Sequence, residues 1–186
     1  MKYLSEEKKY ELLESLAKDP SFLGRLRNKR IKDFDEETIE KFELEAYEKE
    51  GYEFLPSRLK KKIKVIKYKD HDVAFENKCW CLMYDLGFRI LNKNSKFILP
   101  YGPNKGESQQ IDVIAVNDDV AILIECKSSE EIDNKKDYKP YIDTLGRKIS
   151  GFRQSIKELF GERRVKFIFA TNNQKLGPTN IELLQN

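Results

Sequence analysis

Residues 109–127 constrain this chain more than any other stretch. They read Gln-Gln-Ile-Asp-Val-Ile-Ala-Val, then Asn-Asp-Asp, then Val-Ala-Ile-Leu-Ile-Glu-Cys-Lys. Two β-branched apolar runs around a short polar turn are the signature of a β-hairpin. With Asp118 and Asp119 as the central turn residues, counting outward pairs Ala115 with Ile122 and Val113 with Ile124. The same count sets Asp112 opposite Glu125 and Gln110 opposite Lys127. Side chains alternate along a strand, so Asp112, Glu125 and Lys127 share one face.

Like charges directly opposite one another destabilise a sheet. Two readings account for the facing carboxylates. Either both sit at a wet strand end with Lys127 neutralising them, or a divalent cation lies between them. Mg²⁺ suits the second reading, because it commonly takes one or two carboxylates and completes its shell with water and phosphate oxygens.

Composition sets the outer bounds. The chain has 186 residues, enough for one large domain or a domain with an extension. Its hydrophobic fraction of 39% supports a core, and 11% aromatic residues argue against wholesale disorder. Net charge is only +3, so attraction to nucleic acid has to come from local patches. No apolar run is long enough to span a membrane and the first residues lack a signal-peptide layout. Cys79, Cys81 and Cys126 with the single histidine His71 make a structural zinc site improbable, and reduced thiols in a cytoplasmic protein are expected.

Residues 1–56 are expected to form a helical N-terminal extension. Ser5 caps a first helix carrying Leu12, Leu13 and Leu16, which Asp19-Pro20 ends, and Ser21 starts a short second helix. Asp35 is the expected cap of a third, with Ile39, Phe42 and Ala46 at helical spacing and Gly51 past its end. Residues 57–69 are the most basic stretch, holding Lys60, Lys61, Lys62 and Lys64. They read either as a contact surface for phosphates or as an edge strand kept from pairing by its lysines.

From Asp72 the pattern is helical, with Phe75, Cys79, Leu82, Met83 and Leu86 on one face and Gly87 as the stop. Two short strands surround residues 92–95, and residues 100–108 form a turn-rich loop. That loop lacks the Gly-Lys-Ser/Thr of a phosphate-binding P-loop, since Gly106 precedes Glu107. After the hairpin come a long charged connection, residues 128–145, and a helix over residues 146–160. Its outer face carries Arg147, Arg153 and Gln154. Residues 165–170 read as a further buried strand. The tail, residues 181–186, is expected to be too short for another element, which makes a longer natural product the expectation. Hairpin, connection, helix and strand together imply an α/β fold whose mixed β-sheet is flanked by helices.

An Asp on one strand followed by Glu-x-Lys at the end of the next resembles the PD-(D/E)XK nuclease superfamily, the restriction-endonuclease-like fold. The tripeptide alone carries little in a chain that is 36% charged; acid-x-Lys also occurs at Glu7 and Lys9 and at Glu76 and Lys78. The hairpin context supplies the specificity, and the likeness covers about residues 72–171. It departs from the usual pattern in having Ile111 where a proline commonly precedes the Asp.

The resemblance implies a Mg²⁺- or Mn²⁺-dependent DNA endonuclease domain over residues 57–186. Asp112, Glu125 and the Cys126 backbone carbonyl would hold metal, with Glu76 assisting through water, and Lys127 would orient water or neutralise charge. Gln110 and Gln154 would position phosphate, with Arg147, Arg153 and the lysines of residues 60–64 contacting DNA. For Glu76 and Gln154 an ordinary exposed helix position is the competing reading. The order of a basic segment, a Phe-Glu helix, Gly-Phe, Ile-Asp-Val and Ile-Glu-Cys-Lys-Ser is also similar to nuclease-like regions ahead of DGQHR domains in bacterial DNA-modification and phage-defence proteins. That likeness implies a larger defence-system protein as partner, and duplex cleavage makes a homodimer plausible. The alternative function is a catalytically inactive DNA-binding or assembly module of the same fold.

Overall fold

The computed structural model describes residues 2–56, 61–95, 97–133 and 135–185. Its centre is the expected hairpin, formed by β8 (Val113–Val116) and β9 (Val120–Ser128). The register is the one counted from the turn, with Val113 opposite Ile124 and Ala115 opposite Ile122. Asn117 fixes that turn, because its side-chain oxygen accepts from the N–H groups of Asp119 and Val120 at 2.9 and 2.8 Å.

Around the hairpin a mixed five-stranded sheet is built in the order β1 (Leu16–Ala17), β5 (Ile90–Asn92), β8, β9, β10 (Arg164–Asn172). All neighbours run antiparallel except β9 and β10, which are parallel and joined by the long helix α5 (Lys139–Phe160). Parallel neighbours require such a crossover. Alternation along the strands then divides the core. Ile114, Val116, Ala121 and Leu123 pack against Leu145, Phe152 and Ile156 of α5. The other face, Val113, Ala115, Ile124 and Cys126, packs against Trp80, Cys81 and Met83 of helix α4 (His71–Asp85). Helices therefore cover both faces of the sheet.

Several elements differ from expectation. The strand expected over residues 109–116 breaks at Asp112. Its first part, β7 (Ser108–Ile111), pairs instead with β6 (Phe97–Pro100), so Gln110 faces Ile98 and not Lys127. The buried side chain of Asn92 occupies the break: it donates to the Asp112 carbonyl at 3.0 Å and accepts from the Ile114 N–H at 3.1 Å. A side-chain amide thus stands where the next backbone rung of β5 would be.

The first 56 residues are not an all-helical arm. α1 (Glu6–Glu14) is capped by Ser5 as expected, and α2 (Pro20–Arg30) starts one residue early with Asp19 as its cap. Between them β1 pairs with Leu91 and Asn92 at the edge of the main sheet. The helix expected after Asp35 is a strand, β2 (Phe34–Glu40), and only α3 (Leu44–Lys49) is helical there. The spacing of Ile39, Phe42 and Ala46 misled because β2 finds a partner of opposite charge, β4 (Lys62–Tyr68). β4 is also no edge strand; it lies between β2 and β3 (Glu53–Leu55).

On α4, Gly87 does stop the helix, with φ of +92°, but Leu82 and Leu86 are exposed and Trp80 and Cys81 take the buried positions. α5 begins seven residues before the expected start, because Pro140 fits the first turn of a helix, where no N–H partner is lost. β10 is half-exposed rather than buried, being an edge strand of the sheet. The tail forms a helix, α6 (Pro178–Gln185). Among the described residues no helix is long and apolar enough to cross a membrane.

Candidate functional site

Asp112, Glu125 and Lys127 meet at the open end of the hairpin, on the face covered by α5. Both carboxylates are buried at 9% exposure. Asp112 occupies the bend between β7 and β8, and one of its oxygens accepts the Cys126 N–H at 2.8 Å. That bond replaces the next rung of the β8–β9 ladder and fixes the carboxylate beside β9. In an extended strand the N–H and C=O of one residue leave on the same side, so the Cys126 carbonyl is directed towards Asp112 as well. Lys127 donates to Glu125 at 2.6 Å and lies 4.9 Å above the ring of Tyr141 from α5.

Charge is unbalanced here. Burial, and next the Glu125 charge, raise the Asp112 carboxyl above its ordinary value against the pull of the Cys126 N–H, Lys127 and Gln110. Glu76, half-buried on α4, is pushed up to about 7, first by burial and then by Asp112, with Asp72 and Glu125 adding to it. Burial opposes the charge of Lys127, but the hydrogen bond and charge of Glu125 outweigh it and hold the ammonium above the usual lysine value. Three carboxyl groups, Asp112, Glu125 and Glu76, thus surround the Lys127 ammonium, and Glu76 also acts on the Arg30 guanidinium. Gln110 keeps a role beside Asp112 through its side chain, although its strand partner is not the expected one.

The structure also places residues here that the sequence reading missed. Tyr141 is raised well above the ordinary tyrosine range, first by burial and then by the Glu125 carboxylate to which its hydroxyl donates. It is therefore a neutral donor at any physiological pH. Gln109 donates to the Tyr141 hydroxyl at 3.2 Å and accepts from Lys148 at 2.8 Å, so a polar relay runs from α5 to Glu125. Asn92 holds the Asp112 backbone from beneath. A fully polar residue ending the apolar run Ile90-Leu91 was the available signal for Asn92. Nothing local distinguishes Tyr141 from the other tyrosines.

Other expected contacts lie elsewhere. Gln154 donates to Glu158, whose carboxylate accepts the N–H groups of Tyr3 and Leu4, so it serves the N-terminal segment. It is 13 residues beyond Tyr141 on the same helix, about 20 Å along the axis, and cannot reach the carboxylates. Arg153 lines a separate cavity of about 480 Å³ with Gln154, Lys157 and Arg164. Arg147 is exposed on α5. Lys62 and Lys64 are tied to acids of β2, Lys62 to Glu40 at 3.5 Å and Lys64 to Glu36 at 2.5 Å. Lys61 is exposed, and Lys60 lies outside the described residues.

Among the described residues no three His, Cys, Asp or Glu side chains close into a metal cage. What the hairpin offers is an open pair of hard oxygen donors, Asp112 and Glu125, beside a carbonyl, with Glu76 acting through its charge. The thiols lie apart from these donors: Cys126 and Cys79 pack together on the opposite, apolar face, where their contact, then burial, pushes Cys126 strongly upward while the same contact lowers Cys79. Such a donor set fits Mg²⁺ or Mn²⁺, which retain water and accept phosphate oxygens, better than zinc. Comparison with protein-family models, curated proteins and solved structures finds no match.

Proposed function

We propose that the chain is a Mg²⁺- or Mn²⁺-dependent phosphodiesterase acting on DNA, with the restriction-endonuclease-like architecture of the PD-(D/E)XK superfamily. The observation that carries this reading is the charge imbalance at the hairpin end: two buried, facing carboxylates have Glu76 nearby, and among the described residues Lys127 is the cation that ion-pairs there. Burying like charges is costly unless a cation compensates them. The order α4, antiparallel β8 and β9, α5 and parallel β10 supports the same reading.

Asp112, Glu125 and the Cys126 carbonyl would hold the metal. The bound ion supplies charge neutralisation at the phosphate and a water of lowered pKa. The Cys126 N–H orients Asp112, and Tyr141 orients Glu125 by donating to it. Lys127 stays protonated and presents a preorganised cation at the same face. Glu76 titrates near neutrality, so its charge joins the site as pH rises through about 7.

A non-catalytic DNA-binding module is the competing reading, favoured by the ion pair that already occupies Lys127 and Glu125. Cleavage of supercoiled and linear DNA in Mg²⁺ or Mn²⁺ separates the two. The wild type is expected to nick DNA only with metal, and Asp112→Ala and Lys127→Ala to lose roughly 10²-fold or more of the rate. A wild type inert in every metal and on both DNA forms, yet binding DNA in EDTA, would sink the catalytic reading.

A further inference from the structure

Next to the hairpin end, the connection before α5 and the turn before α6 enclose a cleft of about 720 Å³. Lys135, Lys136, Lys139 and Lys175 line it, with Asp137 as the one carboxylate. All four lysines are exposed, and among the described residues none of them forms an ion pair. Asp137 is already engaged, accepting the Lys139 N–H at 2.9 Å. The first turn of α5, at Lys139, adds the positive end of a 22-residue helix. The contrast with β4 is direct, since Lys62 and Lys64 there are matched by Glu40 and Glu36.

Between the lining residues Asp137 and Lys139, the buried Tyr138 links this segment to the hairpin end. Lys136 lies 5.7 Å above its ring. The Tyr138 hydroxyl donates to Gln174, which donates in turn to the carbonyl of Ser128, the residue after Lys127. Phe169 touches both Tyr138 and Tyr141, with ring centroids 5.3 and 6.1 Å apart, and Lys127 sits over Tyr141. Unpaired ammonium groups in a concave surface attract phosphates by releasing their counterions.

We propose that this lysine cleft is the binding track for the phosphodiester backbone of a nucleic acid, delivering a strand to the end of the hairpin. The delivery rests on the phosphodiesterase reading; the binding does not. Lys136→Gln/Lys175→Gln and, as a second pair, Lys135→Gln/Lys139→Gln test it on exposed positions that the fold tolerates. Fluorescence anisotropy in EDTA would follow a labelled DNA duplex and the matching RNA duplex across a salt series.

Each double variant is expected to bind about tenfold more weakly or worse, with the slope of log affinity against log salt reduced by roughly 2 for DNA. Lys62→Gln/Lys64→Gln is expected to leave both unchanged, and whichever duplex shows the larger cleft-dependent loss identifies the strand chemistry. Unchanged affinity in both cleft variants overturns the proposal, as does a wild type that binds neither duplex. Asp112→Ala should still bind in EDTA. Cleft-dependent binding by a wild type that cleaves nothing would overturn the phosphodiesterase reading while leaving the track in place.

Discussion

Glu76 is the residue that reports most sensitively on the charge imbalance. Its folded pKa of about 7 stands above the ordinary 4.5. Between those two values the folded chain binds more protons than the unfolded one, so stability falls as pH rises from about 4.5 through about 7. About half of the group is shielded, and solvent screening reduces the loss to about 1–2 kcal/mol. Glu76→Gln is expected to flatten this slope and, without metal at about pH 8, to raise the melting temperature by roughly 2–8 °C. Calorimetric scans at pH 5 and 8 check it; an unchanged slope would mean that the fold does not raise the Glu76 carboxyl. Tyr141→Phe removes the donor to Glu125 and is expected to cost about 1 kcal/mol of stability and to slow metal-dependent cleavage, read by urea melts and by rate.

At the level of elements, the site depends on how β5 and α5 hold the hairpin. Asn92 satisfies the Asp112 carbonyl and the Ile114 N–H within a fully buried space. Asn92→Ala would orphan both, costing about 2–4 kcal/mol in denaturant unfolding and loosening Asp112. α5 docks against the end of β6 through Gly151, where an added Cβ would stand 1.8 Å from the Tyr101 carbonyl oxygen, and through Ser155, which donates to the Pro100 carbonyl. Gly151→Ala therefore has to push helix and loop apart, with an expected loss of about 1–3 kcal/mol in the same measurement. An unchanged midpoint would contradict that packing.

The hairpin was legible because apolar alternation and a polar turn fix register with no help from the rest of the chain. The Ser5 cap and the Gly87 stop were legible for the same reason: each acts within a turn or two of itself. What the sequence hid was decided by partners far along the chain. β2 is a strand because β4 pairs with it, and β7 leaves the hairpin because β6 competes for it and Asn92 fills the gap. Leu82 and Leu86 share helical spacing with the α4 core, yet face outward because Trp80 and Cys81 meet the sheet. In the site itself, the strand-borne Asp112, Glu125 and Lys127 were readable by alternation. Tyr141 was not, since it arrives from a helix whose start the charged connection concealed.

Over the whole molecule, a net charge of +3 says little, because the sum conceals where charge is cancelled. The lysines most conspicuous in sequence, on β4, are opposed by the acids of β2, whereas among the described residues those beside α5 and α6 form no ion pair. Negative charge is likewise concentrated, in the three carboxyls around one ammonium at the hairpin end. On the function proposed above, a site with that balance beside the basic cleft would bring a polyanion and a divalent cation together. The most direct test is calorimetric titration of Mn²⁺ or Mg²⁺ at about pH 8 into the wild type, Asp112→Ala and Glu125→Ala. Saturable binding by the wild type that either substitution abolishes is the predicted result. No binding by the wild type, or binding that survives both substitutions, would contradict the assignment of the hairpin carboxylates as a metal site.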